Sequence, residues 1–115
     1  MQPEERDYAY LWDMLEAARE VESMLDQYDL SAFLADHVMV RAIERTVEII
    51  GESARRVSSS YQNSHPEIPW REIIGQRNLL AHEYGQIDHE LLYKTAMEDI
   101  PALIAIIENL LPPLD

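Results

Sequence analysis

Apolar residues recur along this chain every three or four positions, and no segment alternates with the period of two that a strand would show. Tyr8, Leu11, Trp12, Leu15, Ala18, Val21 or Glu22, Leu25 and Tyr28 form a first stripe, predicting an amphipathic helix over roughly 4–28. Asp29 to Ala35 reads as a connection with a helical turn. Asp36 has the short acceptor side chain of an N-cap. Val40, Ile43, Val47, Ile50, Ala54 and Val57 follow it at helical spacing, predicting a second long helix to about Ser58. Gly51 falls in the middle of that helix, where it costs about 1 kcal/mol relative to alanine. Close approach of a neighbouring helix is the expected return.

Ser58-Ser59-Ser60 and Gln62 to Pro69 are rich in Ser, Asn and Pro and read as the main loop. Pro69 suits the first turn of a third helix over about 69–83, and Gly85 can end it in a left-handed conformation. Asp88 can cap a fourth helix. Pro101 then requires either a kink or a restart with Asp99 as cap. Leu103, Ile104, Ile107, Leu110 and Leu111 are the apolar stripe of that last helix, and Pro112 and Pro113 stop it. The expected fold is all-α, an antiparallel up-and-down bundle of four main helices in a single domain over residues 1–115, with a short extra helix or a kink at Pro101.

Composition changes this picture little. At 115 residues and 47% apolar the chain can bury a core, and with no cysteine it has no disulfide, thiolate nucleophile or zinc–thiolate site. The acidic start, Met1 to Asp7, shows no signal peptide. The most apolar segment, Ile100 to Leu111, is too short to span a bilayer. A cytoplasmic protein without a membrane segment is expected.

Charge is more informative. The net charge of −13 argues against a general nucleic-acid binder, because phosphates are repelled at long range. The distribution is uneven, however. Residues 1–36 carry ten acids against Arg6 and Arg19, and residues 78–115 carry seven against Lys94. Residues 37–77 hold five acids against Arg41, Arg45, Arg55, Arg56, Arg71 and Arg77, a net +1. Arginine outnumbers lysine eight to one, which suits bidentate contacts to phosphate or carboxylate. The plainer reading is pairing within the helix, since Arg41 and Glu44, or Glu52 and Arg55 or Arg56, sit at helical spacing.

The candidate chemistry lies in Arg77-Asn78-Leu79-Leu80-Ala81-His82-Glu83-Tyr84. A fixed positive charge, a proton carrier near neutral pH and a phenol stand close together here, a set suited to a phosphodiester. Each has a structural alternative. Arg77 could pair with Glu83, Glu52 or Glu72; His82 could face a helix C-terminus as an imidazolium; Tyr84 could be a half-buried aromatic with a wet hydroxyl. Arg77 and His82 are five apart, about 140° around an ideal helix, so one regular face cannot present both. A distorted last turn or a second subunit would bring them together.

This R-x4-H-x-Y pattern resembles the motif of HEPN-domain ribonucleases, and its H-x-Y ending resembles the HepT-like toxins encoded with minimal nucleotidyltransferases. Glu48-Ile49-Ile50-Gly51-Glu52 and Pro66-Glu67-Ile68-Pro69-Trp70-Arg71-Glu72-Ile73-Ile74-Gly75 look like two further blocks of that family in the same order. The resemblance implies a homodimer in which two motif copies line one cleft, and cleavage of RNA through its 2′-hydroxyl without a metal or other cofactor. Arg77 and His82 would be catalytic and Asn78 would position phosphate or His82. Tyr84 would be the acceptor onto which a partner nucleotidyltransferase, the antitoxin, transfers AMP. The alternative is a non-catalytic helical subunit that only binds such a nucleotidyltransferase or serves as its substrate.

Other constellations fail. His89-Glu90-Leu91-Leu92-Tyr93 lacks the second histidine of a zinc-protease H-E-x-x-H, and no Glu-x-x-His or Gly-rich phosphate loop occurs. His37 and His65 read as surface residues.

Overall fold

One stripe of side chains on the first helix faces inward and organises the rest. The computed structural model describes residues 3–80 and 88–112. In it α1 (Pro3–Leu25) buries Leu11, Met14, Leu15, Ala18, Val21 and Leu25 completely or nearly so. Val21 rather than Glu22 takes the inward position. The helix stops short of Tyr28 because Gln27 adopts a left-handed φ of 76°, and the Tyr28 amide donates to the Leu25 carbonyl at 2.9 Å. Left-handed backbone at a non-glycine residue costs roughly 1–2 kcal/mol.

Asp29 then caps a short α2 (Leu30–Ala35), accepting from the Ala32 amide at 2.8 Å, and Phe33 plugs it into the core. Asp36 caps α3 (His37–Arg56) as its side-chain type predicts, accepting from the Met39 amide at 3.0 Å. Tyr28 adds a second bond, its hydroxyl donating to the other Asp36 oxygen at 2.7 Å. The predicted inward residues of α3, from Val40 to Val57, are all buried.

The loop after α3 contains structure that its composition hides. Ser58 caps a further short helix, α4 (Ser59–Ser64), with its hydroxyl accepting from the Tyr61 amide. The Ser58 amide and hydroxyl both donate to the Asp7 carboxylate, at 2.8 and 2.7 Å, a contact spanning 51 residues. Asp7 is buried by it. His65 is not a plain surface residue either: its ring stacks on Tyr61 with centroids 4.1 Å apart.

α5 (Trp70–Leu80) begins one residue later than expected, with the Pro69 carbonyl accepting from the Ile73 amide at 3.0 Å. Asp88 caps α6 (His89–Lys94) by accepting from the Leu91 amide. The helix does not restart at Pro101 with Asp99 as a side-chain cap. The chain instead widens into a π-helical segment, Thr95–Asp99, before α7 (Ile100–Leu110). Proline lacks an N–H and its ring crowds the carbonyl four residues back. A wider turn relieves that crowding, and the Ile100 amide reaches back to Thr95 in the i to i+5 pattern. Asp99 stays helical and makes no capping bond with its side chain.

Directions follow from the cross-links. Asp7 meets Ser58, so α3 runs against α1. Arg19 meets Glu108 at 2.7 Å while the Tyr93 hydroxyl donates to the Tyr28 carbonyl at 2.9 Å, so the α6–α7 rod also runs against α1. α5 starts beside the end of α3 and reaches Gly51 by Ile73, so it runs against α3. The result is an all-α, up-and-down arrangement of α1, α3, α5 and the α6–α7 rod, with α1 packed on α3 and α7 and α3 packed between α1 and α5. The apolar faces of all four meet in one continuous core.

Candidate active site

The helix that carries the first motif residues is fixed at its foot. Ile68 and Trp70 are buried, and the Trp70 indole N–H donates to the His65 carbonyl at 2.9 Å while its ring meets Tyr61 edge-on. The Gln62 amide nitrogen donates to the carbonyls of Val57 and Ala54, at 2.9 and 3.3 Å, tying the α4 segment to the last turn of α3. These bonds satisfy carbonyls that a helix end leaves open. One turn further on, α5 crosses α3 at Gly51, where a β-carbon would lie 3.0 Å from the Ile73 carbonyl oxygen. Glycine at 51 therefore gives the close helix approach that its mid-helix position predicts.

Arg77 and Asn78 lie in α5. Residue 77 is four beyond Ile73, about 40° around the helix and about 6 Å along its axis. Since α5 and α3 are antiparallel, that register brings it to the level of Val47 and Glu48. His82 and Tyr84, with Gly85, lie outside the described residues. The chain resumes at Asp88 and α6, where the His89 Nε2 stands 3.3 Å from the Glu44 carboxylate on α3. Gly51 thus marks the contact of α3 before the motif segment, and Glu44 the contact where the described chain resumes.

The surroundings are polarised. A crevice of about 70 Å³ between α3 and α5 is lined by Val47, Glu48, Gly51, Glu52, Arg55, Ile73 and Ile74. On the other side of α5 a larger groove of about 490 Å³ is walled by Ile73, Ile100, Leu103 and Ile106, with Glu67, Glu72 and Asp99 also lining it. Among the described residues no cation lines that groove, so phosphate is repelled from it. The expected pairings within α3 do not form. Arg45 instead bridges Glu48 at 3.4 Å and Glu52 at 3.6 Å. The i to i+3 and i to i+7 reach of Arg45 was not singled out from spacing, although both glutamates lie on its face.

Among the described residues no group of three or more His, Cys, Asp or Glu side chains could hold a metal ion, and no helix is long and apolar enough to cross a membrane.

An all-α bundle in which a tightly anchored helix leads into an Arg, His and Tyr sequence defines a narrow class. A family model described as "Ribonuclease HepT-like" matches residues 14–110, and the chain belongs to that family, within the HEPN superfamily. It is 39% identical over 101 residues to the protein named "Probable ribonuclease HepT" of Thermococcus cleftensis, covering 88% of this chain and 92% of that one. It is 37% identical over 95 residues to "Putative RNase MJ1380" of Methanocaldococcus jannaschii, covering 83% and 87%. No solved structure matches it.

Proposed function

We propose that this chain is the toxin of a toxin–antitoxin pair: a metal-independent endoribonuclease, active as a homodimer, that a minimal nucleotidyltransferase silences by adding AMP to Tyr84. One observation carries the reading. A chain of the HepT-like family retains Arg77, Asn78, His82 and Tyr84 together in sequence, the first two on a helix anchored at its foot and at Gly51. A helical scaffold that only docks a partner needs none of these four.

The chemistry balances without a cofactor. One His82 imidazole takes the proton of a 2′-hydroxyl, and the freed oxygen attacks the adjacent phosphorus. Arg77 stabilises the charge that builds on the phosphorane oxygens, and Asn78 holds a phosphate oxygen or orients the imidazole. The 5′-oxygen leaves with a proton from the second subunit's imidazolium, giving a 2′,3′-cyclic phosphate and a 5′-hydroxyl. In silencing, the Tyr84 oxygen attacks the α-phosphorus of ATP and pyrophosphate departs. The AMP then sets a bulky anion beside the catalytic pair and excludes RNA by charge and volume.

The test is cleavage of RNA by the purified chain in the presence of EDTA. Wild type should cut, while Arg77→Ala and His82→Ala should lose activity yet keep the helical circular dichroism and cooperative melting of wild type. Full cleavage by either variant would remove the catalytic assignment, and no cleavage by wild type would favour the non-catalytic partner subunit.

A further inference from the structure

Arg6, Arg41, Arg55, Arg56 and Arg71 make no ion pair among the described residues, and two of them, Arg41 and Arg55, share one face of α3. Seen down α3, with Gly51 marking the direction of α5, Arg55, Glu48, Arg41, Glu52 and Arg45 fall between about 40° and 120°. They form a single strip beside α5. Arg41 and Arg55 are exposed, and among the described residues neither has a carboxylate within 4.0 Å. Arg19, by contrast, is held by Glu108 at 2.7 Å. Inside the strip Arg45 lies against both Glu48 and Glu52, so three arginines stand against two glutamates, a net +1.

The strip also has the right position. Arg55 lines the crevice that α3 shares with the foot of α5. Arg41 and Arg45 flank Glu44, where His89 brings the chain back after the motif segment. From residue 41 to residue 55 the helix rises about 21 Å, so the strip runs alongside α5 for its whole described length. The opposite side of α5 is the groove bearing Glu67, Glu72 and Asp99, which phosphate avoids.

We infer that Arg41 and Arg55, with Arg45 lying against Glu48 and Glu52, form a track on α3 that binds the phosphate backbone of single-stranded RNA and leads it toward Arg77 and Asn78 on α5. The inference rests on the ribonuclease reading above and names where the strand lies. Arginines serve this purpose by forming bidentate bonds to phosphate oxygens and releasing condensed counterions. The track reads no bases, so sequence preference has to arise elsewhere.

The experiment measures binding of the full chain to a mixed-sequence single-stranded RNA with methylated 2′-hydroxyls, across a series of salt concentrations. Arg41→Gln/Arg55→Gln should weaken binding to all sequences alike. It should also flatten the dependence of log affinity on log salt by about 1.4, from about 0.7 per phosphate contact on a single strand. Arg19→Gln removes one charge from the far side of the bundle and should leave the slope unchanged. A double variant whose slope matches wild type overturns the track, even if wild type cleaves RNA and the nuclease reading stands. A double variant that keeps its RNA affinity but loses its nucleotidyltransferase overturns it in favour of a protein-docking surface. If the double variant shows the expected slope change but wild type cannot cut unmethylated RNA, the track holds and the nuclease reading falls. If wild type does not bind RNA at all, both fall.

Discussion

Gly51 on α3 and Ile73 on α5 approach so closely that a methyl group on Gly51 would meet the Ile73 carbonyl oxygen at 3.0 Å. The oxygen belongs to helix backbone and cannot rotate away as a side chain would. Alanine at 51 gains about 1 kcal/mol of helix propensity and sets against it an overpacking cost of about 1–3 kcal/mol. Gly51→Ala should therefore be destabilised by roughly 1 kcal/mol in a urea titration. Its RNA cleavage should fall further than its stability, because the displaced helix carries Arg77 and Asn78. A more stable variant with full activity would show that the approach is not tight.

Asp7 ties the start of α1 to Ser58, at the far end of α3, through two bonds from one residue. Removing the carboxylate leaves the Ser58 amide without its acceptor in a partly buried place. Asp7→Ala is expected to cost about 2 kcal/mol, and Asp7→Asn less, since an amide oxygen can still accept one bond. Equal melting temperatures for Asp7→Ala and wild type would remove this tie from the list of contacts that hold the bundle.

The Tyr28–Asp36 bond makes stability depend on pH in a defined direction. The Tyr28 hydroxyl, and after it the Met39 amide, hold the Asp36 carboxyl below its usual range. A depressed carboxyl contributes stability that is complete above its unfolded pKa of about 3.9 and is lost as pH falls through the depressed value. Tyr28→Phe should move the acid-unfolding midpoint upward. The same bond, followed by burial, raises the Tyr28 phenol above its ordinary value, so its contribution is present below about pH 10 and fades as pH rises past the raised value. Superimposable acid limbs for Tyr28→Phe and wild type would exclude the bond as a determinant.

A homodimer with a composite cleft makes a test by mixing possible. Arg77→Ala subunits mixed with His82→Ala subunits, both inactive alone, should regain part of the RNA cleavage if each cleft draws residues from both chains. A protein that sediments as a monomer at the assay concentration and still cuts RNA would refute the composite cleft.

Tyr84→Phe separates cleavage from silencing, since it keeps the ring and removes the nucleophilic oxygen. The variant should cut RNA as wild type does and gain no mass when incubated with its nucleotidyltransferase, ATP and Mg²⁺. Loss of cleavage without the partner would instead make the hydroxyl part of the catalytic site. AMP found on the Phe variant would place the modification elsewhere.

The sequence by itself determined the four main helices. Period, caps and breakers act within a few residues, so the apolar positions of α1 and α3, Asp36 and Asp88 as caps and the need for room at Gly51 could all be read from local spacing. The Arg77, Asn78, His82 and Tyr84 motif is likewise a reading of sequence, with its first two residues placed on α5. Only the tertiary structure decided what local rules leave open. Pro101 was absorbed by a π-helical turn because the α6–α7 rod must stay packed along α1, a constraint absent from the isolated segment. Ser58 became the cap of a hidden helix with Asp7, 51 residues away, as its acceptor. Arg45 took Glu48 and Glu52 while Arg41 and Arg55 stayed open, because side chains with several partners at helical spacing are sorted by the shape of the packed surface. Spacing lists the possible partners of a charge, and packing selects among them.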